Sequence, residues 1–129
     1  MGLLASAMLG LSTASAEELS GYSGEELFNR FCASCHGSGG EGDGPVAPFF
    51  KLHPPDLTRI ARRHGGEFPA EKIRRIVDGR ENIPPHGARS MPVWGTEFTT
   101  AEGDTPEGRK RAQELITRLV DYLESIQKP

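Results

Sequence analysis

From Ala112 onward a single apolar stripe organises the chain. Ala112, Leu115, Ile116, Leu119, Leu123 and Ile126 recur at helical spacing, with charged and polar residues between them. Thr105 is a capping type and Pro106 suits a first helical position, so the pattern predicts a long amphipathic helix beginning there. A second, shorter pattern opens at Ser23. Ser23 and Glu26 form a capping-box pair, and Leu27, Phe28 and Phe31 lie at i, i+1 and i+4 along "GEELFNRFCASC". One helix is expected through that stretch.

Between these two elements the pattern is repeatedly interrupted. Residues 37–48, within "HGSGGEGDGP" and its continuation, are too rich in glycine and proline for helix and read as a loop. Short helices are predicted over 57–64, stopped by Gly65-Gly66, and over 70–78, stopped by Gly79. Pro54-Pro55 and Pro84-Pro85 enforce extended backbone, and 79–95 reads as a long ordered loop of the kind that carries function. There is no strand alternation and no internal repeat. The expected class is all-α, with three to five helices.

Length and composition narrow this picture. At 129 residues the chain is one domain. Its first sixteen residues, "MGLLASAMLGLSTASA", carry no charge and run from an apolar core into an A-x-A site. Residues 1–16 are therefore expected to be a secretory signal cut after Ala16, with 17–129 as the mature domain in the periplasm. No Lys or Arg precedes the apolar run, so the usual basic n-region is missing. The competing reading, a retained membrane anchor, fails on length, since a span needs about 20 apolar residues. Only nine residues are aromatic, so a bound prosthetic group would supply apolar bulk that the side chains do not.

Charge is unevenly spread. Residues 17–50 carry one Arg against six acids, 51–91 carry nine Lys/Arg against five, and 92–129 carry five against seven. No segment has the dominant basic surface of a nucleic-acid binder, and no nucleic-acid partner is expected. The basic middle is a solvated face or part of a docking surface.

The only two cysteines fall in "RFCASCHGSGGEGDGP", as Cys32 and Cys35, followed at once by His36. A disulfide closing so small a loop constrains the unfolded chain little. A redox pair of the thioredoxin kind needs a strand-to-helix setting, and zinc needs four ligands where no second pair exists. C-x-x-C-H is the pattern of covalent haem attachment: two thiols one helical turn apart add to the two vinyl groups, and the next residue presents an imidazole to the iron. One covalently held haem c is expected. For the iron's other face, Met91 in "RSMPVWG" is the one methionine left once the signal departs. Its thioether is a soft, neutral ligand that raises the potential. The rivals for that place are His53, His64 and His86.

With these residues in hand, the chain resembles the class I c-type cytochromes, and in detail the bacterial single-haem cytochromes and the haem c domains of cbb-type oxidases. The resemblance rests on "GEELFNRFCASCHGSGGEGDGPVAP", "PPDLT", "MPVWG" and "LVDYLESI". It implies the cytochrome c fold, helices wrapped around one covalently bound haem. Cys32 and Cys35 become the thioether anchors, His36 the proximal ligand and Met91 the distal one. Pro45, in Gly44-Pro45, becomes the residue whose carbonyl accepts a hydrogen bond from the His36 ring, and Trp94 lies near the haem edge. The first and last helices are implied to cross with Gly24 and Phe28 against Tyr122 and Leu123. Arg59, Arg62, Arg74, Arg75 and Arg89 are candidates to pair with propionates. Residues 96–108 depart from the family pattern as an acidic, insertion-like stretch.

The function expected is one-electron carriage between donor and acceptor redox proteins, without catalysis by the chain itself. The haem-attachment machinery is a partner during maturation, and membranes are met only through docking to membrane-bound redox complexes. Three alternatives stay open: a dedicated haem subunit of a periplasmic dehydrogenase or terminal oxidase, a haem sensor or peroxidase-like protein with a displaceable distal ligand, and a secreted disulfide domain without haem.

Overall fold

A computed structural model describes residues 19–81 and 91–129. The expected signal at 1–16, Pro84-Pro85, His86 and Arg89 lie outside the described residues. Those described form six α-helical segments and no strand: α1 (Gly24–Phe31), α2 (Ala33–His36), α3 (Ile60–Arg63), α4 (Ala70–Asp78), α5 (Trp94–Glu102) and α6 (Pro106–Ser125). Two are single turns, which is why the count exceeds the three to five expected. Among the described residues no helix is long and apolar enough to cross a membrane.

α6 is the spine. Thr105 caps it by accepting from the Gly108 N–H at 3.0 Å, with Pro106 in the first turn. Its stripe of Ala112, Leu115, Ile116, Leu119 and Leu123 is buried as the periodicity predicts, joined by Val120, while Ile126 is half-buried. α1, α4 and α5 all pack on this helix. α1 starts from a complete capping box: Ser23 Oγ accepts from Glu26 N at 3.2 Å, and Glu26 Oε2 accepts from Ser23 N at 2.8 Å. These bonds hold the exposed Glu26 carboxyl below its ordinary value.

The α1–α6 crossing has the composition anticipated for it. A Cβ on Gly24 would lie 2.2 Å from the Arg118 carbonyl oxygen, so only glycine lets the backbones approach this closely. Phe28 is fully buried and its ring sits 5.3 Å from that of Tyr122. α4 buries Ile73 and Val77 and ends at Gly79, whose left-handed conformation turns its N–H onto the Arg75 and Ile76 carbonyls.

α5 corrects the sequence reading, which placed its residues in the end of a loop and an insertion-like stretch. It carries Gly95 and the β-branched Thr96, Thr99 and Thr100, and buries only Gly95 and Phe98, so no apolar stripe announces it. Tertiary contacts hold it in place. Arg111 on α6 donates to the largely buried Glu102 carboxylate at 2.8 Å and to the Glu102 carbonyl at 2.9 Å, occupying one of the acceptors a helix end leaves open.

Candidate functional site: the Cys32–His36 turn

The expected continuous helix through "CASC" is interrupted. α1 stops at Phe31, Cys32 takes φ −116°, and one fresh turn, α2, carries Cys35 and His36. The Cys32 carbonyl accepts from both Cys35 N (3.2 Å) and His36 N (2.9 Å), which keeps the two thiols on neighbouring positions of one turn. The two sulfurs are not joined to each other, and both residues are half-buried. Burial, and secondarily the neighbouring Cys35, push the Cys32 thiol up to about 12, so it stays protonated.

The glycine-rich loop wraps back along this turn. Gly37 closes α2 with φ +76°. The N–H groups of Gly42, Gly44 and Val46 then bond the carbonyls of His36 (2.8 Å), Cys35 (3.2 Å) and Ser34 (3.1 Å) in succession. A side chain on Gly44 would place its Cβ 2.3 Å from the Ser34 carbonyl oxygen. The low-complexity appearance of this loop thus reflects a close wrap of backbone on backbone.

His36 is the most unusual group in the structure. Its Nδ1 is buried and makes no hydrogen bond of acceptable geometry. Burial lowers its pKa, opposed by the backbone of Pro55, so the ring is neutral at pH 7 with a lone pair to offer. The Pro55 backbone bears on the ring electrostatically but makes no hydrogen bond to Nδ1. The resemblance gave that bond to Pro45; in the structure His36 Nδ1 bonds neither the Pro45 nor the Pro55 carbonyl, and both prolines are exposed. Pro55 lies in "PPDLT", a stretch visible in the sequence but carrying no mark of which proline folds back. Gly42, at φ +86°, makes room for it, since a Cβ there would meet the Pro54 carbonyl oxygen at 2.4 Å.

Phe31, Leu57, Phe68, Ile76, Met91 and Trp94 pack on the core while remaining partly exposed. The Trp94 ring lies 5.5 Å from that of Phe31 and 5.7 Å from that of Phe98, and Phe31 meets Phe98 edge-on at 5.4 Å. A groove of about 370 Å³ runs beside Phe31 and Trp94. The larger groove, about 560 Å³, lies among Asp78, Arg80, Thr99 and Gln113; neither cysteine nor His36 lines it. Its buried Asp78 is paired with Arg80 and bonded by Gln113 at 3.3 Å.

The other predicted residues divide clearly. His53 is exposed, and His64, also exposed, turns its Nδ1 to the Ile60 carbonyl at 2.9 Å. Arg74 donates to Thr117 at 2.6 Å, Arg75 pairs with Glu81 at 3.0 Å and Arg59 with Asp56 at 3.2 Å. Arg62 is exposed and forms no ion pair among the described residues.

Two thiols on one turn, an adjacent neutral imidazole with an unpartnered buried nitrogen, and a half-covered apolar surround fit a haem bound at this turn. No curated protein and no solved structure matches the chain. One family does match: the one described as cytochrome c oxidase, cbb3-type, subunit III, over residues 20–104, a range holding α1 to α5 and the whole Cys32–His36 turn but not α6. The all-α architecture agrees with it, haem c binding follows from it, and the chain belongs to that family of c-type cytochrome domains.

Proposed function

We propose that the chain is a periplasmic single-haem c-type cytochrome, a one-electron carrier between redox proteins and not an enzyme by itself. Residues 17–129 are the carrier domain, exported on the signal at 1–16. Cys32 and Cys35 would hold the haem through thioether bonds, and His36 and Met91 would be the residues that ligate its iron. The observation that carries the reading is His36: a neutral ring, one nitrogen turned into the protein, one residue after the second of two free thiols. The two nitrogens of an imidazole diverge, so a ring whose Nδ1 is buried in the protein has Nε2 to offer a metal.

Bound there, haem c supplies a one-electron iron couple. The residues of this chain do the rest. Phe31, Trp94 and their apolar neighbours would cover the group and exclude water. Iron ligands supplied wholly by the protein would keep oxygen and peroxide out, which suits carriage over catalysis.

A second reading is favoured by the family description itself: a dedicated haem subunit of a terminal oxidase. Co-purification with one membrane complex supports the subunit, whereas exchange of electrons with several soluble partners supports the free carrier. The carrier reading is tested by mixing reduced protein with carbon monoxide. It predicts an unchanged absorption spectrum; rapid formation of a carbon monoxide adduct overturns it in favour of a sensor or peroxidase-like protein.

A further inference from the structure

The large apolar side chains that stand exposed among the described residues, Val46, Phe49 and Leu52, all lie in one loop. Apolar residues scattered singly over a surface are ordinary, whereas a cluster confined to one loop marks a contact site. Phe49 leaves 87% of its surface to solvent and Leu52 54%, so the pair stands out from the fold. Their loop is held firmly. Buried Ala47 opens a single turn, Ala47–Phe49, which packs on α2 and closes with Phe50 N donating to the Ala47 carbonyl at 3.2 Å. Pro45 and Pro48 stiffen the backbone on either side of Ala47. The turn is also tied to the cysteines: Val46 N donates at 3.1 Å to the carbonyl of Ser34, which lies between Cys32 and Cys35. Lys51, exposed between Phe49 and Leu52, is the one charge from Pro45 to His53 and forms no ion pair among the described residues.

We propose that this tip docks a redox partner: a protein with an apolar recess for the Phe49 ring and a carboxylate at the recess edge to meet Lys51. The proposal rests on the reading of the Cys32–His36 turn as the haem site, which sets the tip where a partner has to come close. Aromatic side chains are the usual anchors of interfaces, and a protruding ring gains most when a fitted recess removes it from water. The stiffened backbone leaves little freedom to lose on docking. Three apolar side chains and one cation make a small contact, of the size class in which redox proteins meet and part quickly. A lipid surface takes such side chains too, but nothing in its chemistry calls for a tip fastened to the turn that carries both cysteines.

The test offers reduced holoprotein to membranes of the source cells recombined with their periplasmic fraction, and follows its oxidation by absorption over a range of protein concentrations. Phe49→Ser should raise the apparent KM about tenfold, the loss that accompanies truncation of an aromatic anchor, and Phe49→Leu much less. Lys51→Ala should raise it severalfold at low salt and little at high salt. Lys110→Ala, which removes an exposed lysine on α6, is the control and should change nothing. Oxidation by ferricyanide, which needs no fitted recess, and the absorption spectrum should stay the same in both Phe49 variants. An unchanged KM in Phe49→Ser overturns the docking role. So does a spectrum altered by that substitution, which would set the ring against the haem. Binding of the wild type to protein-free vesicles of phosphatidylcholine and phosphatidylglycerol, lost in Phe49→Ser, would assign the tip to lipid and overturn the protein partner. A wild type that carries haem but passes no electrons to the cell fractions overturns the carrier reading instead, so the two failures are told apart.

Discussion

Substituting Gly24 by alanine sets two physical effects against each other at the crossing that supports the haem-binding turn. Helix propensity favours the change by about 1 kcal/mol in a helix interior, and by less at a first helical position such as this. Packing opposes it. The new Cβ would lie 2.2 Å from the Arg118 carbonyl oxygen and 2.9 Å from Tyr122 Cβ, where a carbon–oxygen contact normally sits at about 3.3–3.6 Å. The clashing atom is backbone on the facing helix and cannot swing aside, so α1 and α6 must part by roughly 1 Å. A gap of that size forfeits about a quarter to a half of each dispersion contact across the interface, where Leu27 and Phe28 are both fully buried. Overpacking of this kind costs about 1–3 kcal/mol, more than propensity returns. A net loss of about 1–2 kcal/mol follows, a fall in Tm of roughly 4–8 °C for a domain of this size. Gly21, which has open space around its Cα, is the control, and alanine there should be nearly neutral. Thermal and urea unfolding of the holoprotein, followed by far-ultraviolet circular dichroism, measure both variants. A Gly24→Ala protein as stable as the wild type would refute the close-packed crossing.

Other outcomes follow from the same structure. Met91→Ala should give a weakly ligated or high-spin haem with a markedly lower potential, read by absorption and redox titration; unchanged values would move the distal ligand elsewhere. The Glu26 pKa is lowered in the folded state, so its capping contribution is present above the ordinary carboxylate range and is lost as pH falls through the folded value. Glu26→Gln should therefore lower the midpoint of thermal unfolding at pH 7, by a margin that shrinks as the solution is acidified. Reversing Arg62 and Arg63, which form no ion pair among the described residues, should slow electron transfer to an acidic partner severalfold at low salt and little at high salt. Arg74 and Arg75, already engaged with Thr117 and Glu81, should matter less. Equal rates for all these variants would reduce the basic middle of the chain to a solvated face.

What the sequence reveals here is what local rules govern. The Ser23–Glu26 box, the Thr105-Pro106 start, the Gly79 stop and the stripe of α6 are each decided within a few residues, and each is found in place. The Cys32–His36 turn is legible for the same reason. α5 was hidden because its threonines and Gly95 argue weakly for helix, and its stability comes from Arg111 and the body of α6. The return of the Pro54-Pro55 segment was hidden more deeply. It follows the motif in a stretch crowded with proline, and what places it is a glycine that clears its path together with an amide bonded across 70 positions of chain. Spacing along a sequence carries no trace of such a return.

The central claim is that a haem is bonded to this polypeptide through Cys32 and Cys35. Intact mass measurement of the protein matured alongside the haem-attachment machinery, under denaturing conditions, tests it directly. The account predicts one species heavier than the polypeptide by a single haem, with no thiol left to alkylate and the added mass mapped to a peptide spanning both cysteines. A species at the bare polypeptide mass, with both thiols alkylated, would contradict it.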